Sequence, residues 1–137
     1  MHRPHAVGTC HLRGQRPTVF HLLQHAQPIA QFQAIQLKLA DIATNVQAAR
    51  LLTWWAASEV DAGNRADLQT SMAKLFASET ALTAALESLR VHGGAGYSTE
   101  LDVERLYRNA PLMAIGEGTN DVLRLLIARR LLDSVAP

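Results

Sequence analysis

The stretch PIAQFQAIQLKLADIATNVQAARLLTWWAASEVD (residues 28–61) decides the fold class. Within it Ile35, Leu39, Ile42, Val46, Ala49, Ala56 and Val60 recur at alternating steps of three and four, interrupted only by Thr53. Apolar residues at that spacing line one face of an α-helix, so the segment predicts one helix from Pro28 to Asp61. Pro28 suits a first turn, where its missing N–H has no intrahelical partner to lose. Gly63-Asn64 marks the far end. At 1.5 Å per residue such a helix is about 48 Å long.

The pattern continues downstream. In ADLQTSMAKLFASETALTAALESLRVH (66–92), Leu68, Leu75, Leu82 and Leu89 fall seven apart, with Met72 and Leu86 at the alternate positions. That repeat predicts a second long helix, closed by Gly93-Gly94. Residues 93–99, GGAGYST, read as a loop, followed by a shorter helix over Leu101–Tyr107 that Pro111 interrupts. Gly116-Glu117-Gly118 reads as a turn. Thr119 is a good N-cap, and Val122, Leu125, Leu126, Ile127, Leu131 and Leu132 carry a last helix to Ser134. With no strand signal and no repeat, the chain reads as an all-α bundle.

Upstream of this pattern the composition changes. Residues 1–27 hold Arg3, Arg13 and Arg16, no acidic residue, and five of the six histidines. The remainder carries the other 10 basic residues and all 12 acidic ones, a net of −2. Residues 1–26, with Pro4, Gly8, Gly14 and Pro17, are expected to be a flexible basic leader. Three arginines are too sparse for a nucleic-acid-binding tail.

The whole chain has 137 residues, one domain's worth, and a formal net charge of +1. Nothing in that balance favours nucleic acid or an anionic membrane surface. One cysteine, Cys10, excludes an internal disulfide. No apolar run reaches the roughly 20 residues of a bilayer span, and His21 and His25 break the only stretch resembling a signal sequence. A cytoplasmic location is the expectation.

Few residues offer chemistry. His21 and His25 could share a helical face but have no third ligand, and neither Glu-x-x-His nor H-E-x-x-H occurs, so no metal site is expected. Gly93-Gly94-Ala95-Gly96 follows a helix rather than a strand, which excludes a dinucleotide fingerprint. Those glycines either terminate a helix or let backbone N–H groups approach a phosphate. Glu117 is either an exposed carboxylate near a helix N-terminus or, with a glycine on each side, one left open for a ligand C–H bond to approach.

At these same segments the chain closely resembles a known family. QPIAQFQAIQLKLADI (27–42), AKLFASE (73–79), RVHGGAGYSTELDVERLYRNAPL (90–112) and IGEGTNDVLRLLIARRLL (115–132) resemble, in order, the C-terminal helical domain of acyl-CoA dehydrogenases. The resemblance covers residues 27–137 and implies an antiparallel four-helix up-down bundle. It also implies an FAD enzyme that oxidises an acyl-CoA thioester to its 2-enoyl form and passes electrons to a further acceptor. By resemblance Glu117 is the catalytic base and Gly118 lies against the substrate. Thr119, Asn120 and Asp121 match flavin-contacting positions, as do Phe32 and Gln33. Arg90, Val91, His92, Gly93 and Gly94 match a segment that reaches the flavin of a neighbouring subunit. A thioester α-proton is a weak acid, so a carboxylate base benefits from a dry site. The family assembles as a homotetramer, and Leu52, Trp54 and Trp55 are expected to support a dimer or tetramer here.

The departures are equally specific. The family has an arginine where Leu22 stands, Phe-Gly where His25 and Ala26 stand, and Asp where Asn109 stands. The N-terminal helical and central β domains have no counterpart in the sequence. The expectation is therefore an incomplete enzyme from a truncated or frame-disrupted gene, inactive and without tight FAD binding by itself. Arginine outnumbers lysine 11 to 2, which suits GC-rich coding with an out-of-frame leader. The competing expectation is a non-enzymatic helical oligomerisation or interaction module.

Overall fold

A computed structural model describes residues 23–24 and 27–135. The expected leader, with His21, His25 and position 22, lies outside the described residues apart from Leu23–Gln24. That pair, β1, forms a two-residue antiparallel ladder with β2, Gln27–Pro28, placing Leu23 opposite Pro28. No alternation of apolar and polar residues announced this ladder.

A single 3-10 turn at Ile29–Gln31 then leads into α1, Gln33–Asp61. The expected helix therefore begins five residues late, because Phe32 is extended. Its other end is as expected: Gly63 N–H bonds the Val60 carbonyl and Asn64 N–H bonds that of Glu59, both at 3.0 Å. These two bonds satisfy carbonyls that the last turn would otherwise leave unpaired.

Helix α2 spans Asp67–His92. The segment expected to be a loop contains one helical turn, α3 (Gly94–Tyr97). Helix α4 spans Asp102–Ile115 and runs straight through Pro111, so the expected interruption does not occur. Pro111 is exposed, where the carbonyl it strands can be hydrated, while Val103 and Ala110 are buried. Helix α5, Asn120–Asp133, starts at the expected N-cap: Thr119 Oγ1 accepts from Val122 N–H at 3.4 Å.

These elements form an antiparallel helical bundle with α2 as its centre, packed against α1, α4 and α5. Polar pairs fix the directions. Lys38 near the start of α1 bonds Glu87 near the end of α2. Arg130 near the end of α5 bonds Asp67 at the start of α2, at 2.6 Å. Asn120 at the start of α5 bonds Ser78, midway along α2. Helices α4 and α5 thus descend along α2 one after the other, and residues 116–119 are the break between them.

The packing is tightest at small residues. Ala49, Ala56, Ala73 and Ala110 are buried, as are Ser71 and Ser78, whereas no large side chain falls below 2% exposure among the described residues. The leucines of the α2 repeat are half-buried. Large apolar side chains face outward on four of the helices, including Leu51, Trp54 and Trp55 on α1, Tyr97 on α3, Leu112 and Ile115 on α4, and Leu125 and Leu132 on α5. Leu52, expected among them, is half-buried, and Leu51 takes the outward position. Among the described residues no helix is long and apolar enough to cross a membrane.

Candidate active site

The turn joining α4 to α5 is the locally unusual part of the backbone. Gly116 N–H closes α4 on the Leu112 carbonyl at 2.8 Å. The next residue, Glu117, has φ +56°, the only positive φ at a non-glycine residue among those described. Gly118 follows at φ +94°. A side chain in the left-handed region brings Cβ against the following carbonyl, so a glutamate is held there only where its surroundings enforce it. The conformation presents the Glu117 side chain to solvent, and no atom lies within 4 Å of where a Gly118 side chain would begin.

Beneath this exposed turn lies a polar cluster centred on buried Ser78 and Asn120. Lys74 Nζ, on α2, donates to the Gly118 carbonyl at 2.8 Å and to Asn120 Oδ1 at 3.0 Å. Ser78 Oγ donates to the same Asn120 Oδ1 at 3.0 Å. Asn120 Nδ2 in turn donates to Glu79 Oε1 at 2.9 Å, which also accepts from Arg124 Nη2 at 2.9 Å. Ser78 and Asn120 are 4% and 5% exposed, and a buried amide is tolerated only when its oxygen and nitrogen both find partners, as they do here. The Asn120 amide holds the Glu79 carboxyl below the usual carboxylate range, with Arg124 acting in the same sense and partial burial opposing both.

The other candidate residues lie elsewhere. Half-buried Phe32 caps α1 and exposed Gln33 opens it. Arg90, Val91 and His92 end α2, with Gly93 at φ +58° and Gly94 beyond. Since α1 and α2 are antiparallel, these two groups share one end of the bundle. Arg90 bonds Glu87, and buried His92 donates from Nδ1 to the Ser88 carbonyl at 2.7 Å. From Ser78, beside the turn, to His92 is fourteen residues of α2, about 21 Å along the axis. The chain therefore holds two separate patches rather than one continuous site. Among the described residues no group of three His, Cys, Asp or Glu could hold a metal ion.

Sequence reasoning assigned no role to Lys74, Ser78 or Glu79. Their signal was available in AKLFASE: three polar residues in an otherwise apolar seven-residue segment already singled out.

The likeness to known proteins spans both patches. The family described as "Acyl-CoA dehydrogenase, C-terminal domain" matches residues 20–132, starting ahead of the first motif at Gln27. A 3-(aryl)acrylate reductase of Clostridium sporogenes is 48% identical over 109 residues, covering 80% of this chain and 29% of that protein. A probable acyl-CoA dehydrogenase of Bacillus subtilis is 49% identical over the same length and coverage. Butyryl-CoA dehydrogenase from Megasphaera elsdenii superposes with a TM-score of 0.81 at 35% identity, over 83% of this chain and 30% of that one. The chain spans less than a third of these relatives. Its helical architecture and its sequence together show that it belongs to the acyl-CoA dehydrogenase family, of which it carries the C-terminal domain.

Proposed function

We propose that this chain supplies the base-bearing domain of an FAD-dependent acyl-CoA dehydrogenase, which desaturates an acyl-CoA thioester between its α and β carbons, and that it is inactive alone. The observation that carries this reading is the Gly116–Thr119 turn, with Glu117 held outward in a left-handed conformation at the start of α5. Bound FAD would accept the β-hydrogen as hydride. Glu117 would take the α-proton onto a carboxylate oxygen, and the electron pair of the broken C–H bond would become part of the new double bond. Gly118, with no side chain, leaves room for the thioester beside the carboxylate. The first N–H groups of α5 at Asn120 and Asp121 favour an electron-rich ligand edge near Thr119.

These residues fit one edge of a flavin and thioester pair but do not enclose it, since Glu117, Gly118 and Thr119 are all exposed. A base in open water is weak, so the reading requires further walls to exclude solvent when substrate binds. The patch at Phe32, Gln33 and Arg90–Gly94, some 21 Å away, would serve a flavin held by a second subunit. One relative is named a reductase and another a dehydrogenase. A carboxyl group at this turn suits either direction, because the group that accepts a proton forward must return it in reverse. Electrons would pass on to a separate acceptor, and the reading includes a cytoplasmic location.

The test is a chimera in which residues 27–137 replace the matching segment of an intact relative, with the host arginine kept where Leu22 stands here. It should purify yellow, and its flavin should bleach on mixing with acyl-CoA. A chimera that holds FAD and acyl-CoA yet never bleaches would overturn the reading. The 137-residue chain itself should purify colourless and reduce no dye in the presence of acyl-CoA. Stoichiometric flavin in that preparation would show that it encloses the cofactor unaided.

The outward apolar side chains favour a second element of the reading, self-association. Trp54 is 62% exposed and Leu132 71%, on different helices, and large apolar side chains left in water favour association. Sedimentation at micromolar concentration should give a dimer or tetramer, and a monomer there would contradict it. The same observation supports a non-enzymatic oligomerisation module. DNA upstream that encodes an N-terminal helical domain and a central β domain, in any frame, would favour the enzyme.

A further inference from the structure

We propose that Lys74 is a positioning residue: through the Gly118 carbonyl and the Asn120 amide it holds the Glu117 turn in its left-handed form. This rests on the reading of Glu117 as the base. Two consecutive residues with positive φ, one of them not glycine, form a backbone that does not sustain itself. On its α4 side the turn is anchored by the Gly116–Leu112 bond. On its α5 side the Thr119 cap bonds only within the same segment. Ser78, Glu79 and Lys74 of α2 all reach Asn120, and Lys74 is the one of them that also reaches the backbone of the turn, at Gly118. Its ammonium group grips the carbonyl of the residue after Glu117 and, 3.0 Å away, the side chain of the first residue of α5.

The rest of the cluster is arranged to serve this grip. Ser78 lies one helical turn beyond Lys74 on α2 and donates to the same Asn120 oxygen. Glu79 takes the Asn120 N–H and so fixes which way the amide points. With that orientation set, Oδ1 can only face Lys74 and Ser78. Among the described residues Lys74 has no carboxylate within ion-pair distance, so its charge is directed at two neutral oxygens of the turn. A lysine that served only to stabilise the surface would be expected beside a carboxylate, as Lys38 is beside Glu87. In this arrangement Asn120, expected as a flavin contact, has its side chain committed to the protein and acts as the strut between α2 and the turn.

The experiment measures amide hydrogen exchange by NMR on the full chain, comparing Lys74→Met, Lys74→Arg and Ser78→Ala with Lys38→Met as a control remote from the turn. Lys74→Met should speed exchange at residues 118–121 about tenfold while the amides of central α2 keep their protection. Lys74→Arg should restore most of that protection, and Lys38→Met should leave the turn unchanged. Should Lys74→Met fail to fold, Ser78→Ala decides: a smaller rise confined to 118–121 supports the strut, and no rise overturns it. Exchange that is unaltered, or raised equally along α2, also overturns it. In the chimera, Lys74→Met should lower kcat for flavin reduction about ten- to a hundredfold with KM and flavin content retained, and an unchanged kcat would refute positioning. If Glu117→Gln is inactive but the turn ignores Lys74, the base stands and the strut falls. If Glu117→Gln stays active, the base assignment fails whatever Lys74 does.

Discussion

Glu117→Gln in the chimera should leave FAD bound and acyl-CoA affinity nearly intact while slowing flavin reduction by about 10³-fold. The substitution keeps the shape of the side chain and its place between Gly116 and Gly118, but an amide cannot take up the α-proton. Loss of a positioned general base alone typically costs about two to four orders of magnitude, and no second carboxylate lies within the turn to substitute for it. Asp121, the nearest in sequence, is bonded to Arg124 at 3.0 Å on the first turn of α5. Stopped-flow bleaching of the flavin is the measurement. Retained flavin content separates a chemical defect from a folding defect, since the backbone at φ +56° is equally available to Gln and Glu.

Gly96→Val should lower the melting temperature of the chain by about 10 °C, through a cost of about 3 kcal/mol. A side chain at position 96 would begin 2.8 Å from His92 Cβ and 2.9 Å from the Leu89 carbonyl oxygen. Neither obstacle is the loose end of a flexible side chain. Both belong to the last turns of α2, so room for the added isopropyl group would require α3 to lift from α2 and would expose buried His92. Gly94, two residues earlier, has nothing within 4 Å of the equivalent position. Gly94→Ala should therefore hold the melting temperature or raise it slightly, because alanine restricts the unfolded chain more than glycine does. Thermal unfolding followed by circular dichroism distinguishes the pair, and equal effects at both positions would contradict the close approach at Gly96.

The helix ends that were legible in the sequence are those fixed by local chemistry. Gly63, Thr119 and Ser134 act within a few residues of themselves, and each stands where the pattern put it. What was not legible depends on partners distant in sequence or on which side of a helix meets water. The length of α4 turned on Pro111 facing solvent, which its sequence neighbours do not reveal. Leu51 rather than Leu52 faces outward, because a stripe drifts around a 29-residue helix and the direction at its far end is set by α2. The cluster under the Glu117 turn joins residues 41 to 46 positions apart. Its members were visible in AKLFASE and in GTND, and the resemblance singled out both segments, but only the fold brings the two together.

The role of Glu117 is tested most directly by α-hydrogen exchange, which reports proton removal apart from any redox step. Acyl-CoA incubated in D2O with the chimera should gain deuterium at its α carbon, read by mass spectrometry, and the Glu117→Gln chimera should give no more than the background without enzyme. Exchange by the Gln variant at the parent rate would contradict that role, leaving Glu117 as an exposed carboxylate at the start of a helix and the proton in the hands of another group.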